Sequence, residues 1–145
     1  LFHALVSVLV LLAAFAFLNG HLPWTVVFLP LVFLPLVVFA LGVAWFLASL
    51  GVYLRDVGQV IGLLTTMLMF LSPIFYPVTA LPERFQTWIL ANPLTFIIEQ
   101  ARAVLIWGKM PSFSGLTLYA VVASAVAWAG FVWFQKTRKG FADVL

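Results

Sequence analysis

The residues able to do chemistry in this chain are few, and most of them occur as pairs of opposite charge. Only 8% of the 145 residues are charged, and cysteine is absent. Arg55-Asp56 and Glu83-Arg84 are adjacent pairs, whereas Glu99 and Arg102 are three residues apart, a spacing that lets side chains pair on one helix. Acid–base catalysis inside a membrane needs carboxylates or histidines gathered at one depth. Only Glu99 and Arg102 come close to this, and their spacing favours an ion pair.

The other reactive side chains are isolated in the sequence. His3 and His21 have no partner at the spacing of metal ligands, and Ser72 and Ser114 have no neighbouring base. The sequence contains no glycine-rich phosphate loop and no metal-binding motif. We therefore predict no catalytic residue, no metal and no cofactor bound by this chain. If ATP drives the protein, ATP and Mg²⁺ bind to a partner subunit.

Composition places these few charges in a membrane protein. The chain is 66% hydrophobic and its mean hydropathy is +1.22, whereas about a quarter of the residues in a soluble domain are charged. The apolar runs are continuous and of helix length, unlike the alternating segments of membrane strands. The formal net charge of +3 is too small to indicate nucleic-acid binding. The sequence thus predicts an all-α membrane protein with a single transmembrane domain.

The charged and proline-containing positions divide the apolar sequence into four predicted spans. The second span is about 45 Å long at 1.5 Å per residue, more than the ~30 Å hydrocarbon core requires. Pro30 and Pro35 lie within it and predict a bent or tilted helix. Because Leu1 begins directly in an apolar run, we expect the sequence to start partway through a longer membrane protein. The predicted spans are 1–18, 24–53, 57–71 and 114–134, followed by a tail at 135–145.

Basic residues predict the orientation of these spans. Lys136, Arg138 and Lys139 follow the last span, and such clusters favour the cytoplasmic side. The C-terminus and the turn at Arg55-Asp56 are then cytoplasmic, and residues 76–113 face outward. Arg55 and Asp56 contact a cytoplasmic partner in one interpretation and form a solvated turn in the other.

The outward segment contains two short amphipathic helices, predicted at 82–91 and 93–107. Asn92 is a favoured N-cap and Pro93 fits the first helical position, so the second helix begins there. Neither helix is long enough to cross a bilayer. They either form a re-entrant hairpin that gates a pathway or lie flat on the outer leaflet, and the pattern alone leaves both open.

Small and aromatic residues each allow two interpretations. Gly58 and Gly62 lie four apart and allow close helix packing, either within one bundle or at a subunit interface. Alanines repeat similarly in the second span, as do small residues in the last. Aromatic residues near the outer span ends either anchor the interface or line a pathway along which sugars could stack. The pathway candidates are Phe70, Phe75, Tyr76, Phe85 and Trp88, with Glu99 and Arg102 as further gate candidates.

Residues 53–105 strongly resemble the permease subunits of bacterial ABC polysaccharide and polyol phosphate exporters, a type-2 ABC transporter family that handles O-antigen, teichoic acid and capsule. The similarity extends over residues 40–145, whereas the first two predicted spans match more by pattern than by motif. The matching motifs are Arg55-Asp56, Ser72-Pro73-Ile74-Phe75-Tyr76, Leu81-Pro82, Asn92-Pro93-Leu94, Arg102 and the ending Gly140–Leu145.

The resemblance implies a permease that dimerises with a second copy of itself and pairs with ATP-binding cassette subunits. It would export a lipid-linked glycan across the bacterial inner membrane, with two short external gate helices between its last two spans. The four spans here would be the last four of six, so the main contact with the ATPase would lie outside this sequence. Two alternatives remain: a type-2 ABC permease for a drug or small lipid, and a membrane-embedded enzyme acting on lipid-linked sugars.

Overall fold

The computed structural model describes residues 2–19, 23–54, 56–74, 76, 78–80, 82–90 and 92–143. Every element in these residues is helical, which confirms the predicted all-α class. The predicted site residues Arg55 and Phe75 and the isolated His21 lie outside the described residues, and Trp88 is described only as part of a helix. The α-helices are α1 (Phe2–Asn19), α2 (Leu29–Tyr53), α3 (Val57–Leu71), α4 (Glu83–Leu90), α5 (Pro93–Leu105) and α6 (Phe113–Thr137).

The described residues also form three short 3₁₀ segments, at Trp24–Phe28, Val78–Ala80 and Arg138–Asp143. Two of them extend membrane-length helices. The run Trp24–Tyr53 has 30 residues and Phe113–Gly140 has 28, and both are long and apolar enough to cross a bilayer. The apolar helices Val6–Phe17 and Val57–Leu71 are shorter. At 15 residues, α3 is about 22 Å long, less than a ~30 Å hydrocarbon core.

The irregularity predicted for the second span occurs at its start. The segment Trp24–Phe28 is a 3₁₀ helix that passes into α2 at Leu29. Pro30 therefore lies in the first turn of α2, where its missing N–H removes no intrahelical bond. Pro35 is the proline inside the helix, and it is buried.

Helices α2 and α6 pack side by side in the same direction. Phe28 meets Phe113 near their beginnings, with ring centroids 5.9 Å apart, and Phe46 meets Trp133 further along, at 5.5 Å. At their ends the Tyr53 hydroxyl donates to the Thr137 carbonyl oxygen over 2.8 Å. Because contacts advance together along both helices, α2 and α6 are parallel.

Glycine allows the two backbones to touch. A Cβ placed on Gly130 would lie 2.1 Å from the Gly42 carbonyl oxygen, and one on Gly42 would lie 2.6 Å from the Ala127 Cα atom. Only residues without a side chain permit this separation, as in other close helix pairs in lipid. The small-residue contact within the chain is therefore formed by Gly42, Ala127 and Gly130.

The small residues predicted to pack within one bundle behave differently. A Cβ on Gly58 or Gly62 would have no atom within 4 Å, so α3 presents both glycines outward. The alanines of the second span, Ala40, Ala44 and Ala48, are also exposed. The close contact with α6 is made instead by Gly42, on the opposite side of α2. Packing of α3 through Gly58 and Gly62 stays a prediction.

The buried core lies at the beginnings of α2 and α6, where α5 joins them. Its residues come from all three helices: Leu29, Val32, Ile97, Ala101, Val104 and Leu116. The short helix α5 is thus part of the folded core, at the end of the molecule where α2 and α6 start. We call this the α5 end, and the opposite one the Tyr53 end.

Candidate functional site

The polar residues of this apolar chain converge where α3 ends against α5. We call this site the α3–α5 junction and define it by Ser72, Pro73, Asn92, Glu99 and Arg102. Ser72 and Pro73 are buried and Asn92 is 7% exposed. Hydrogen-bonding groups at such depth need partners, because burying them unpaired is costly.

Asn92 links the two helices at one side of the junction. Its side-chain oxygen accepts a hydrogen bond from the Leu94 backbone N–H at 3.0 Å, which confirms the predicted N-cap of α5. Its side-chain nitrogen donates to the Ser72 hydroxyl oxygen at 3.3 Å. The Ser72 hydroxyl in turn donates to the Leu68 carbonyl oxygen of α3, 2.6 Å away. One amide therefore caps α5 and ties it to the end of α3.

Arg102 links the helices at the other side. One guanidinium nitrogen donates to the Pro73 carbonyl oxygen at 2.8 Å and more weakly to that of Ile74 at 3.5 Å. The other terminal nitrogen pairs with the Glu99 carboxylate, which confirms the predicted ion pair. The planar guanidinium suits this arrangement, because its donors point in fixed directions toward separate acceptors. Arg102 thereby satisfies backbone acceptors that follow the end of α3.

The electrostatics of the junction are those of a partly shielded ion pair. The side chain of Arg102 is 16% exposed and that of Glu99 is 27% exposed. Because Glu99 is engaged by Arg102, the local charge is balanced. This arrangement is suited to holding two helices together. Among the described residues, no group of three His, Cys, Asp or Glu side chains is close enough to hold a metal ion.

The opposite side of α5 is held by the starts of α2 and α6. The buried Thr25 hydroxyl donates to the Val104 carbonyl oxygen at 2.6 Å. The Gln100 side-chain oxygen accepts from the Ser112 backbone N–H at 2.8 Å, just before α6. Phe96 stacks on Tyr119 with centroids 5.9 Å apart and planes 16° apart. Helix α5 is therefore fixed on both sides.

The described side chains of helix α4 are more exposed than those of α5. Ile89 is buried, whereas Arg84 is exposed and Phe85 is 55% exposed. Helix α4 packs on α5 and on the short 3₁₀ segment Val78–Ala80. The two short helices predicted as one hairpin thus differ in how they are anchored.

The aromatic pathway candidates are partly brought together. The Tyr76 hydroxyl donates to the Phe70 carbonyl oxygen at 3.2 Å, and the Phe70 side chain is 69% exposed. Phe85 lies on α4 and is also exposed. Phe70 and Tyr76 therefore form a pair at the end of α3, close in sequence to the α3–α5 junction.

The partner-contact candidate Asp56 lies at the Tyr53 end. It is exposed and directly precedes α3, and its side chain makes no capping hydrogen bond to that helix. Helix α3 separates Asp56 from the α3–α5 junction by its whole length. The structure thus does not bring the two sets of charged candidates together.

Sequence reasoning missed the role of the carbonyl groups after α3. Spacing indicated the Glu99–Arg102 pair, but it gave no reason to join Arg102 to Pro73, which is 29 positions away in the chain. The residue types did contain a signal for this contact, because the sequence offers unpaired acceptors in one place and spare donors in another. Ser72-Pro73 ends an apolar helix and leaves acceptors without helical donors, while Arg102 supplies more donors than Glu99 can use.

Comparisons with known proteins agree with this architecture. Residues 1–106 match the family described as ABC-2 type transporter. The chain is 29% identical over 122 residues to the O-antigen export system permease protein RfbA of Myxococcus xanthus, covering 83% of this chain and 47% of that protein. It is 24% identical over 148 residues to the Klebsiella pneumoniae protein of the same name, covering 99% and 55%.

A third relative is the polysialic acid transport protein KpsM of Escherichia coli, 24% identical over 104 residues, which cover 72% of this chain and 40% of that protein. The chain spans about half the length of the curated relatives it matches. The family match covers well over half of the residues, in a chain with two membrane-length helices. The chain belongs to the ABC-2 type transporter family of membrane proteins.

Proposed function

We propose that this chain is the membrane-spanning part of a permease that exports a lipid-linked polysaccharide across the bacterial inner membrane. ATP, with Mg²⁺, would be hydrolysed on a separate ATP-binding cassette subunit. Membership of the ABC-2 family supports the transporter class. The names of the relatives, two O-antigen export permeases and a polysialic acid transport protein, support a polysaccharide as the cargo.

The parallel packing of α2 and α6 is the observation that carries the proposed topology. Helix α3 leads from the Tyr53 end back to the α5 end, where Ser72 and Pro73 contact α5. Helix α6 then starts from the α5 end, as α2 does. If α3 crosses the membrane, α4 and α5 begin and end on one side. This supports α4 and α5 as a re-entrant pair between the crossings of α3 and α6. Helix α1 is the proposed first of four crossings.

The surroundings of α5 favour the re-entrant arrangement over helices lying flat on the leaflet. A helix on the lipid surface buries its apolar face in lipid. Here Ile97, Ala101 and Val104 are buried against protein, and polar contacts hold both sides of α5. Polar groups at membrane depth are tolerated where protein surrounds them.

Within this pair, we assign α4 as the moving gate and α5 as its fixed support. Among the described side chains of α4, Arg84 and Phe85 are exposed. Helix α5 is held by Thr25, Asn92 and Arg102. Phe70, Tyr76 and Phe85 would offer aromatic faces to passing sugars, as would Phe75 and Trp88.

The exposed face of α3 is the proposed contact with a second copy of the chain. Gly58 and Gly62 lie on it with open space around them. Two such helices can approach closely in lipid. The Tyr53 end, with Asp56 and Arg55, would face the cytoplasm and the ATP-binding subunit. The positively charged residues after α6 support the same orientation.

Topology is tested by thiol labelling, which is direct because the chain contains no cysteine. A membrane-impermeant maleimide added to spheroplasts should label Lys109→Cys, which follows α5. It should label Lys139→Cys only after the membrane is permeabilised. Labelling of Lys109→Cys from the cytoplasm alone would change the number of crossings and remove the proposed topology.

Transport is tested in cells that lack the gene. We expect lipid-linked glycan to accumulate at the cytoplasmic face and surface glycan to disappear, with both restored by the intact protein. Unchanged surface glycan together with increased sensitivity to a drug would indicate the small-molecule permease instead. Loss of a chemical conversion with export intact would indicate the enzyme.

A further inference from the structure

A cavity of about 510 Å³ opens at the C-terminal end of α6, where that helix passes into the 3₁₀ segment Arg138–Asp143. Of the side chains that the structure describes, six line the cavity, and none of these six is acidic. They divide into an apolar pair and a polar, basic group. The lining consists of Phe131 and Val132, followed by Gln135, Lys136, Arg138 and Lys139.

The order of these residues along the helix gives the cavity a gradient of polarity. Residues 131, 135 and 138 are spaced as neighbours on one helical face, and residues 132, 136 and 139 form the adjacent row. The apolar pair lies on the side of the membrane-length helix. The three cations lie beyond it, within about 10 Å along the axis. A ligand in this cavity would therefore meet apolar surface at one end and positive charge at the other.

Helix electrostatics explain only part of this arrangement. Cations near a helix C-terminus are favourable because the last carbonyl groups carry partial negative charge. That effect accounts for the cations, but it does not account for the cavity or for the apolar residues beside them. Here Phe131 exposes 43% of its side chain beside the cavity, and Lys136, Arg138 and Lys139 are all exposed.

The end of α6 is also fixed in place by α2. The Tyr53 hydroxyl donates to the Thr137 carbonyl oxygen, and a Cβ on Gly140 would lie 2.7 Å from the Tyr53 hydroxyl oxygen. These contacts hold the start of the 3₁₀ segment against α2. The backbone that carries Arg138 and Lys139 is thereby held in position before any ligand arrives.

We propose that this cavity binds the headgroup phosphate of an anionic phospholipid, with the three cations on the phosphate and Phe131 and Val132 against the upper acyl chain. The charge of the lining is complementary to the phosphate, and its polarity gradient matches that of the lipid. Basic clusters beside membrane helices attract anionic lipids, and each Lys or Arg strengthens binding about fivefold. The inference does not rest on the proposed function, because it requires only that α6 crosses the bilayer.

A lipid-linked glycan also carries a diphosphate that the three cations could bind, but the structure favours a bilayer phospholipid. The six described lining residues all come from α6 and its extension, an arrangement that favours a lipid reaching one helix from the surrounding bilayer. Asp56 lies at the same end of the molecule, although it does not line the cavity.

The test uses the intact protein in nanodiscs of phosphatidylcholine that contain a photoreactive phosphatidylglycerol. We expect crosslinks within residues 131–139, and little crosslinking there when the photoreactive lipid is phosphatidylcholine. The triple variant Lys136→Gln, Arg138→Gln, Lys139→Gln should lower phosphatidylglycerol crosslinking by roughly a hundredfold. High salt should lower it in the unaltered protein, because salt screens exposed charges.

Two control variants define the outcome. The charge-conserving variant Lys136→Arg, Arg138→Lys, Lys139→Arg should retain crosslinking. The variant Arg84→Gln, Lys109→Gln removes cations outside this cavity and should also retain it. If the triple variant does not fold, the single variant Arg138→Gln is used in its place, and a smaller loss of phosphatidylglycerol crosslinking is expected.

Equal crosslinking by phosphatidylglycerol and phosphatidylcholine would overturn the proposal, as would crosslinking that survives loss of the cations. Crosslinking to a photoreactive isoprenoid diphosphate but not to phosphatidylglycerol would also overturn it. Crosslinking is measured without any transport assay. A failure of the lipid-binding proposal is therefore distinguishable from a failure of the exporter assignment.

Discussion

The guanidinium of Arg102 donates a hydrogen bond to the carbonyl oxygen of Pro73, 2.8 Å away, and so joins the middle of α5 to the residue that follows the end of α3. These residues are 29 positions apart in the chain. The contact satisfies a backbone acceptor that the helix break leaves without a helical donor. It also joins α5 to the residues that directly follow Ser72.

Replacing Arg102 by Gln should destabilise the α3–α5 junction. The carbonyl groups of Pro73 and Ile74 lose their donor, and the Glu99 carboxylate loses its counter-charge. We expect the free energy of unfolding to fall by about 1–3 kcal/mol. Denaturant titration in detergent micelles measures it. The control is Arg84→Gln on the exposed part of α4, which should change stability by less than about 0.5 kcal/mol. Equal effects of the two variants would contradict a structural role for the Arg102 contacts.

Replacing Glu99 by Gln should have a smaller effect. The amide oxygen of Gln can still accept from Arg102, and the bond from Arg102 to Pro73 does not involve Glu99. We expect a loss below about 1 kcal/mol, because the site is partly solvated. Export of glycan should continue, measured by surface staining. A stable Glu99→Gln protein that exports normally but lacks a chemical conversion would argue for the enzyme alternative.

Replacing Gly130 by Ala should separate α2 from α6. The new Cβ would lie 2.1 Å from the Gly42 carbonyl oxygen, and a backbone atom cannot move aside as a flexible side chain can. We expect a loss of about 1–3 kcal/mol or more, as for other overpacked sites. Gly51→Ala is the matched control on α2, because its Cβ would meet nothing within 4 Å. It should stabilise the helix slightly. Thermal unfolding of the two proteins should shift in opposite directions.

Replacing Thr25 by Val should weaken the attachment of α5 to the start of α2. Valine has nearly the same shape but lacks the hydroxyl that donates to the Val104 carbonyl oxygen at 2.6 Å. We expect a cost of about 1–2 kcal/mol, since the site is fully buried. Thr65→Val is the control, because that exposed hydroxyl donates to Ile61 within its own helix. Hydrogen exchange should rise in α5 in Thr25→Val alone, and unchanged exchange there would refute the contact's importance.

Much of the fold is predictable from local signals in the sequence. The apolar run 57–71 coincides with α3, since charge precedes it and Ser72-Pro73 ends it. Asn92-Pro93 begins α5 as expected, because the cap and the fixed proline φ act within a few residues. The Glu99–Arg102 pair follows from helical spacing alone. These features depend on neighbours in the chain.

The features that depend on distant contacts are not predictable in this way. Small residues at Gly42, Ala44, Gly58 and Gly62 all permit close packing, and the sequence does not indicate which of them meets another helix. In the structure Gly42 does so, because Gly130 provides the matching gap. Similarly, the attachment of Arg102 to Pro73 requires knowing that α5 returns to the end of α3. Sequence spacing carries no such information.

The contact between Gly42 and Gly130 has a mechanical consequence. Two parallel helices whose backbones touch at Gly42 and Gly130, and whose ends are joined by Tyr53 and Thr137, should move together as one rigid unit. A displacement applied at the Tyr53 end would then be transmitted to α5 through this pair, whereas α3, which has fewer contacts with α2, would transmit less of it. Helices α2 and α6 would thus transmit motion, and α3 would yield to it.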